Sequence, residues 1–222
     1  MINLEQMKMV ALAEPDLGNP PPETWQDRAR EFVDYSRQCL WNDIGVKALV
    51  WLRARGLTND TITDFNLGFN PIEREDDPEM WGLEGKQVWL PRGVVIPCEL
   101  FSTLWYVRVR RPRSDPKFVH IRGGRAAPFG ADRLGSEDRL LLICKGEFDT
   151  MLAIQEAGDL LDAITLEGGG RRIAQTRHVV RVEFPDNGDL TDYHLASGDL
   201  RGLLTRAARF EQPAIKQTEP VF

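Results

Sequence analysis

Leu140-Leu141-Leu142-Ile143-Cys144-Lys145-Gly146-Glu147-Phe148-Asp149-Thr150-Met151-Leu152-Ala153-Ile154-Gln155-Glu156-Ala157-Gly158 is the stretch that decides the fold. Its first five residues form an unbroken apolar run. Such a run predicts a strand covered on both faces. Asp149 to Ala157 takes a helical pattern closed by Gly158, and Ala163-Ile164-Thr165-Leu166 is a second strand. Strand, helix and strand in this order make a βαβ unit with parallel strands. The loop Lys145 to Asp149 leaves the C-terminal end of a buried strand, where open α/β sheets bind ligands. Gly146 lets the backbone turn tightly there. Glu147 and Asp149 place two carboxylates beside a helix N-terminus. They fit a hard cation such as Mg²⁺, which often takes only one or two carboxylates. The competing reading is a capping Asp149 and a solvated Glu147.

Downstream, Val179 to Phe184 reads as a further strand and Asp186-Asn187-Gly188-Asp189 as a turn. Leu200, Leu203, Leu204, Ala207 and Ala208 mark a last helix, and residues 211–222 read as a tail. Asp186, Asp189 and Asp192 form a second acidic group. Turn chemistry accounts for it, yet both acidic groups follow core strands of one sheet. The two groups together are the candidate metal-ligating acids. The loop Glu167-Gly168-Gly169-Gly170-Arg171-Arg172 could cradle a phosphate, but it lacks the Walker spacing.

Upstream of Leu140 the period is two. Val88-Trp89-Leu90, Val94-Val95-Ile96, Leu104 to Arg110 and Phe118 to Arg122 read as strands of a small antiparallel sheet with one wet side. Tyr106, Arg108 and Arg110 share one face, and His120 and Arg122 share another strand's face. Phe101 to Arg125 holds Arg108, Arg110, Arg111, Arg113, Lys117, Arg122 and Arg125 against a single acid, Asp115. Tyr106, Arg108, Arg110, Lys117 and Arg122 are the candidate nucleic-acid contacts, because arginines and lysines grip phosphates and aromatics stack on bases. A charge-guarded edge strand is the competing reading.

Further upstream the period is helical. Residues 23–71 carry an amphipathic helix from Glu23 with Thr24 as its cap, a second over Gly45 to Arg55 closed by Gly56, and a third capped by Thr58. Glu73, Glu75, Asp76, Asp77 and Glu79 read as a solvated loop. Residues 1–22 end in three prolines and read as an arm. The organisation is thus an arm (1–22), a helical segment (23–71), a mixed β subdomain with a basic face (72–135), an α/β domain (136–210) and a tail (211–222). The fold class is α/β, α+β overall.

Of the 222 residues, 42% are hydrophobic and 28% charged, an ordinary globular balance. No apolar run approaches a membrane span. Met1 to Glu14 lacks the pattern of a signal peptide, so a cytoplasmic location is expected. The net charge of −6 argues against a generally basic coat for nucleic acid. Cys39, Cys98 and Cys144 form no C-x-x-C pair, and His120, His178 and His194 are scattered, so no zinc site is expected.

The order of these features resembles the catalytic core of bacterial-type DNA primases, including its Toprim domain, over roughly residues 24–205. ALVWLRARGLTNDTITDFNLGFNP (Ala48 to Pro71) is similar to that core's "yL..RGL...ti..f.LGyap" string. Gly93 to Pro97 with Trp105 to Arg111 resembles its "vifPi…g.v.gf.gR" sheet, and Pro116-Lys117-Phe118 its "PKY". Phe129-Gly130-Ala131-Asp132-Arg133-Leu134 resembles "lyGld.a", and Leu141 to Gly158 resembles the Toprim opening "liVEGy.Dvl.l..aG". Two departures stand out. Lys145 occupies the position of the family's glutamate, the expected general base or metal-site acid, while Asp149 retains the aspartate. The family's Asp-x-Asp strand end has no counterpart. Only the eleven residues Glu167 to Arg177 separate Leu166 from His178, too few for the strand and two helices that would restore it, so one βα unit is missing. Asp189 and Asp192 resemble the acids that follow it.

The resemblance implies a DNA primase-like Toprim protein acting on single-stranded DNA and nucleotides in replication, with Asp149, Lys145 and Glu147 at the catalytic position. A replicative helicase is an implied partner. The substituted lysine and the missing acids imply a weak Mg²⁺ or Mn²⁺ site, held by the remaining Asp149, Asp189 and Asp192, and impaired primer synthesis. The competing readings are a non-catalytic nucleic-acid-binding or replication-partner module derived from a primase, and nuclease or topoisomerase chemistry on a Toprim domain.

Overall fold

Pro20, Pro21 and Pro22 offer no backbone N–H, and the first helix starts directly after them. In the computed structural model, which describes residues 18–180, 182, 189–196 and 198–210, α1 spans Glu23–Leu40. The Pro22 carbonyl accepts from the Gln26 N–H at 3.0 Å. Pro22, with no side-chain cap to give, is the N-cap, and Thr24 lies inside the first turn instead of capping it. Trp25, Ala29, Phe32, Val33 and Ser36 line the buried stripe at three- and four-residue steps.

A single 3₁₀ turn, Asp43–Gly45, leads into α2 (Val46–Ala54), so the second helix begins just after Gly45. Gly56 follows it at φ +88°, the left-handed geometry that closes helices. Thr58 caps α3 (Asn59–Asp64), its hydroxyl accepting from the Thr61 N–H at 3.2 Å.

Four antiparallel strands form the central sheet: β1 (Gly68–Asn70), β4 (Gly93–Leu100), β5 (Thr103–Arg110) and β6 (Phe118–His120), in that spatial order. The end of the segment read as helical, residues 23–71, thus contains strand β1. A separate ribbon pairs β2 (Arg74–Asp76) with β3 (Val88–Leu90). The acidic run read as a solvated loop therefore contains a strand. Asp76 is buried because Arg28 at 2.9 Å, Arg74 at 3.1 Å and the Trp81 indole N–H at 3.2 Å all contact its carboxylate. Burial alone would raise its pKa, but these hydrogen bonds outweigh burial and hold it below the usual carboxylate range.

The central sheet does not have one wet side. Val95, Val107 and Val109 pack with Trp25, Ala29 and Phe32 of α1. On the opposite face Ile96, Cys98 and Tyr106 join a second core. That core runs on through Phe65 and Phe129 into Leu141, Met151, Leu152 and Ile164. Alternation in β5 gave way to burial because the second layer covers the face that carries the arginines.

The second layer is a three-stranded parallel sheet in the order β8-β7-β9, built from β7 (Leu141–Cys144), β8 (Asp162–Thr165) and β9 (Val179–Val180). α4 (Glu147–Ala157) makes the first crossover, and the six-residue α5 (Gly170–Gln175) makes the second. α6 (Leu190–Leu195) and α7 (Leu200–Phe210) follow, and both pack on α4. The strand expected through Phe184 is described only to Val180. Glu183, Phe184, the turn residues Asp186 to Gly188, most of the arm and the tail lie outside the described residues. No helix among the described residues is long and apolar enough to cross a membrane.

Candidate functional site

Glu147 opens α4 and is only 2% exposed. A buried carboxylate needs partners, and two residues of β5 supply them. Arg108 Nη1 lies 2.6 Å from Glu147 Oε1, and the Tyr106 hydroxyl donates to the same oxygen at 3.1 Å. Arg108 also reaches across to Glu167, donating from Nη2 to both carboxylate oxygens at 2.8 Å. Its Nε donates to His120 Nε2 at 2.8 Å, which fixes that ring nitrogen as an acceptor. Burial alone would lower the Arg108 pKa, but the charges of Glu147 and Glu167 outweigh it and raise the pKa further. Burial first, then Arg108, holds the His120 pKa below its ordinary value.

The five residues expected to contact nucleic acid have different surroundings. Tyr106 is buried, and its pKa is pushed well up by desolvation, so its ring is not a stacking platform for bases. Arg108 is spent on two carboxylates. Arg122 sits elsewhere, its guanidinium donating to the carbonyls of Glu84 and Lys86. Lys117 is exposed on β6's approach, and Arg110 is half-buried. Of the five, Arg110 and Lys117 remain near each other's strand ends without a carboxylate partner among the described residues.

The expected metal ligands do not converge either. Asp149, in the first turn of α4, accepts from the Thr191 N–H at 3.2 Å and its hydroxyl at 2.6 Å. Desolvation raises its pKa, the Thr191 bonds offset part of that, and the charge of Asp189 adds to the rise. Asp189 and Asp192 form a capping box at the start of α6: Asp189 Oδ1 accepts from the Asp192 N–H at 2.9 Å, and Asp192 Oδ2 from the Asp189 N–H at 3.4 Å. Among the described residues no three His, Cys, Asp or Glu side chains are placed to hold a metal ion. Lys145, two residues before α4, is exposed. The residues present do not fit a divalent ion held by Asp149, Asp189 and Asp192. The capping box takes two of the acids, and Asp149 serves as the seat of α6.

Sequence reasoning passed over Arg55 and Trp51. They stand one helical turn apart at the end of α2, a spacing that aligns side chains on one face. The Arg55 guanidinium lies 5.2 Å from the centre of the Trp51 ring and 4.7 Å from that of Phe148 in α4. Arg110 approaches Trp51 at 4.9 Å. Trp51 and Phe148 meet edge to face at 5.6 Å. The usable signal was the Arg55 of the RGL string together with an aromatic four residues before it.

No protein-family profile matches the chain, and no curated protein does. Solved structures do. One is the RNA polymerase domain of Mycobacterium tuberculosis primase DnaG in complex with a double-stranded DNA oligomer with a 6-nucleotide overhang. It is 17% identical with a TM-score of 0.67, over 83% of this chain and 80% of that one. Another is the E. coli primase catalytic core, 15% identical with a TM-score of 0.63, over 84% and 79%. A third, the DnaG primase catalytic domain bound to single-stranded DNA, is 15% identical with a TM-score of 0.63, over 84% and 81%. The helical segment, the central antiparallel sheet and the small parallel layer together have the fold of bacterial DnaG primase catalytic cores.

Proposed function

We propose that this chain is a primase-like, Toprim-type protein that binds single-stranded DNA in replication and is impaired in primer synthesis. One observation carries the reading. The catalytic position of the resembled family is held here by an exposed Lys145, and the neighbouring Glu147 is locked into Arg108 and Tyr106. Primer synthesis joins nucleotides by metal-assisted phosphoryl transfer, and two ions need several free carboxylates to balance their charge. Asp149, Asp189 and Asp192 are each committed to helix α6. Lys145 adds repulsion where a ligand would stand.

The binding half of the reading is supported by cationic and aromatic side chains that remain accessible. Arg111 lies 4.8 Å from the Trp89 ring, and Arg110 and Lys117 flank the same strand ends. The fold is shared with a catalytic domain whose structure contains single-stranded DNA. The test is fluorescence anisotropy with a labelled single strand, in EDTA and at several salt concentrations. Binding that persists in EDTA and weakens linearly in log salt supports the reading. Absence of binding at low salt removes it.

A non-catalytic module that holds a replication partner is the second reading. The same locked Glu147 favours it, since a fold without its carboxylates can still present a surface.

A further inference from the structure

The turn between β4 and β5 holds two residues, Phe101 and Ser102, with Leu100 facing Thr103 across it. Both take left-handed backbone, at φ +51° and +65°. That geometry suits Asn-Gly, and a bulky residue in it is strained. Phe101 is nonetheless 51% exposed, so burial of its ring does not offset the strain. A strained turn that holds an aromatic ring in solvent points to a role outside folding.

Phe101 lines a cavity of about 270 Å³. Its apolar wall is Phe65 and Phe129, stacked with ring centres 5.3 Å apart. Its charged wall is Asp64, Glu99 and Asp132, against one lining base, Arg133. Arg133 is engaged elsewhere: it lies over the Phe65 ring at 4.1 Å and donates to the Asp64 carbonyl at 2.8 Å. Its Nε stays 3.9 Å from the Asp132 carboxylate. Arg30 likewise stays 3.9 Å from Glu99 and donates to the Ser102 carbonyl. Desolvation raises the Asp132 pKa, Arg133 offsets part of that, and the charge of Glu99 adds to the rise. Carboxylates that repel each other beside aromatic rings leave an arrangement short of a cation.

This face lies away from the start of α4. Gln155 of α4 holds Thr58 and Thr61 at the start of α3, and α3 ends at Asp64 beside the cavity. About 12 Å of helix separates Gln155 from Glu147. A second cavity, of about 390 Å³, adjoins the first at Arg133 and runs to Gly158 and Asp159 beyond the end of α4. The two make one groove, long enough for an extended peptide.

We propose that this groove docks a basic segment of a partner protein, one arginine of which enters the cavity beside Phe101. Charge complementarity names the partner. A guanidinium can bridge Glu99 and Asp132 by charge-assisted hydrogen bonds and lie on the Phe101 ring. The same acids repel phosphate, so a nucleic acid does not fit here. The proposal stands whether or not the chain binds single strands elsewhere.

Fluorescence anisotropy of the full chain tests it, with a short labelled peptide of alternating arginine and leucine as the probe. A citrulline–leucine peptide keeps the shape without the charge. The arginine peptide is expected to bind, and the citrulline peptide to bind about 10-fold more weakly or less. Glu99→Gln and Asp132→Asn should each weaken the arginine peptide by about 10-fold, the loss of one charge-assisted contact. Asp34→Asn, in an exposed pair with Arg37 on α1, should change nothing. Phe101→Gly should weaken binding without lowering the melting temperature, because glycine takes a positive φ freely. Asp132 is exposed, so Asp132→Asn keeps the test valid if another variant fails to fold. Single-strand binding should be the same in wild type and Asp132→Asn. Absence of peptide binding, equal binding of the citrulline peptide, or groove variants that bind as the wild type does would overturn the docking site. So would a single strand that displaces the peptide, since it would place nucleic acid in the groove.

Discussion

Arg108 of the antiparallel sheet and Glu147 of the parallel layer form a 2.6 Å ion pair that joins the two layers. The carboxylate is 2% exposed and the arginine side chain 13%. Such a pair costs desolvation to bury, and breaking it leaves an uncompensated charge inside. Arg108→Ala should therefore lower stability by about 3–5 kcal/mol. Tyr106→Phe, which removes one hydrogen bond to the same oxygen, should cost about 1 kcal/mol. Urea unfolding measures both. A neutral Arg108→Ala would contradict the locked arrangement.

Asp162 at the start of β8 ties down the other end of the parallel layer. It receives Arg139 Nε at 2.9 Å, the Gly135 N–H at 3.0 Å and the Arg177 guanidinium. Arg177 is 3% exposed. Asp162→Ala should cost about 3–5 kcal/mol by stranding that buried cation. Arg177→Met should cost clearly less than Asp162→Ala, since it removes a charge and fills similar volume. Equal losses in the two variants would show that the charge is not the cause.

Asp76 should make stability depend on acid. Its folded pKa is lowered, so on acidification the unfolded chain takes up the proton first. The contribution is fully present above the unfolded pKa, about 3.9, and is lost as pH falls through the lowered folded value. The stability difference between wild type and Asp76→Asn should therefore stay constant from pH 7 to about pH 5 and shrink below about pH 4. A difference unchanged down to pH 3 would contradict the Arg28 and Arg74 pairing.

Asp149→Asn should be nearly neutral for folding, within about 1 kcal/mol. The amide oxygen still accepts from Thr191, and the repulsion from Asp189 disappears. Thermal unfolding of the variant checks it. A large loss would show that the ionised form of Asp149 is needed.

The sequence made the architecture legible where periodicity was long. Leu140 to Gly158 has an unbroken apolar run followed by a helical pattern, and it is strand β7 followed by α4. Thr58 and Gly56 acted through local backbone chemistry and stand where that chemistry requires. The site was harder to read, because its partners lie far apart in the chain. No local pattern says that Glu147 meets Arg108, or that Arg110 and Arg55 share Trp51. Alternation in β5 correctly grouped Tyr106, Arg108 and Arg110 on one face. It could not show that a second layer covers that face, which buried Tyr106 and tied the half-buried Arg108 to two carboxylates. Asp76 failed for the same reason: an acidic run looks solvated until Arg28 and Arg74 arrive from elsewhere.

The central claim is a primase fold that binds nucleic acid but lacks the carboxylates for polymerisation. Primer formation from labelled ribonucleotides on a single-stranded template, with Mg²⁺ and with Mn²⁺, tests it most directly. Wild type and Lys145→Glu should both yield no primer, although Lys145→Glu should bind the divalent ion more tightly, since a repelling charge becomes a ligand. Single-strand binding by the wild type should persist in EDTA in the same preparation. Metal-dependent synthesis by the wild type that Asp149→Ala abolishes would contradict the account and make this chain an active primase.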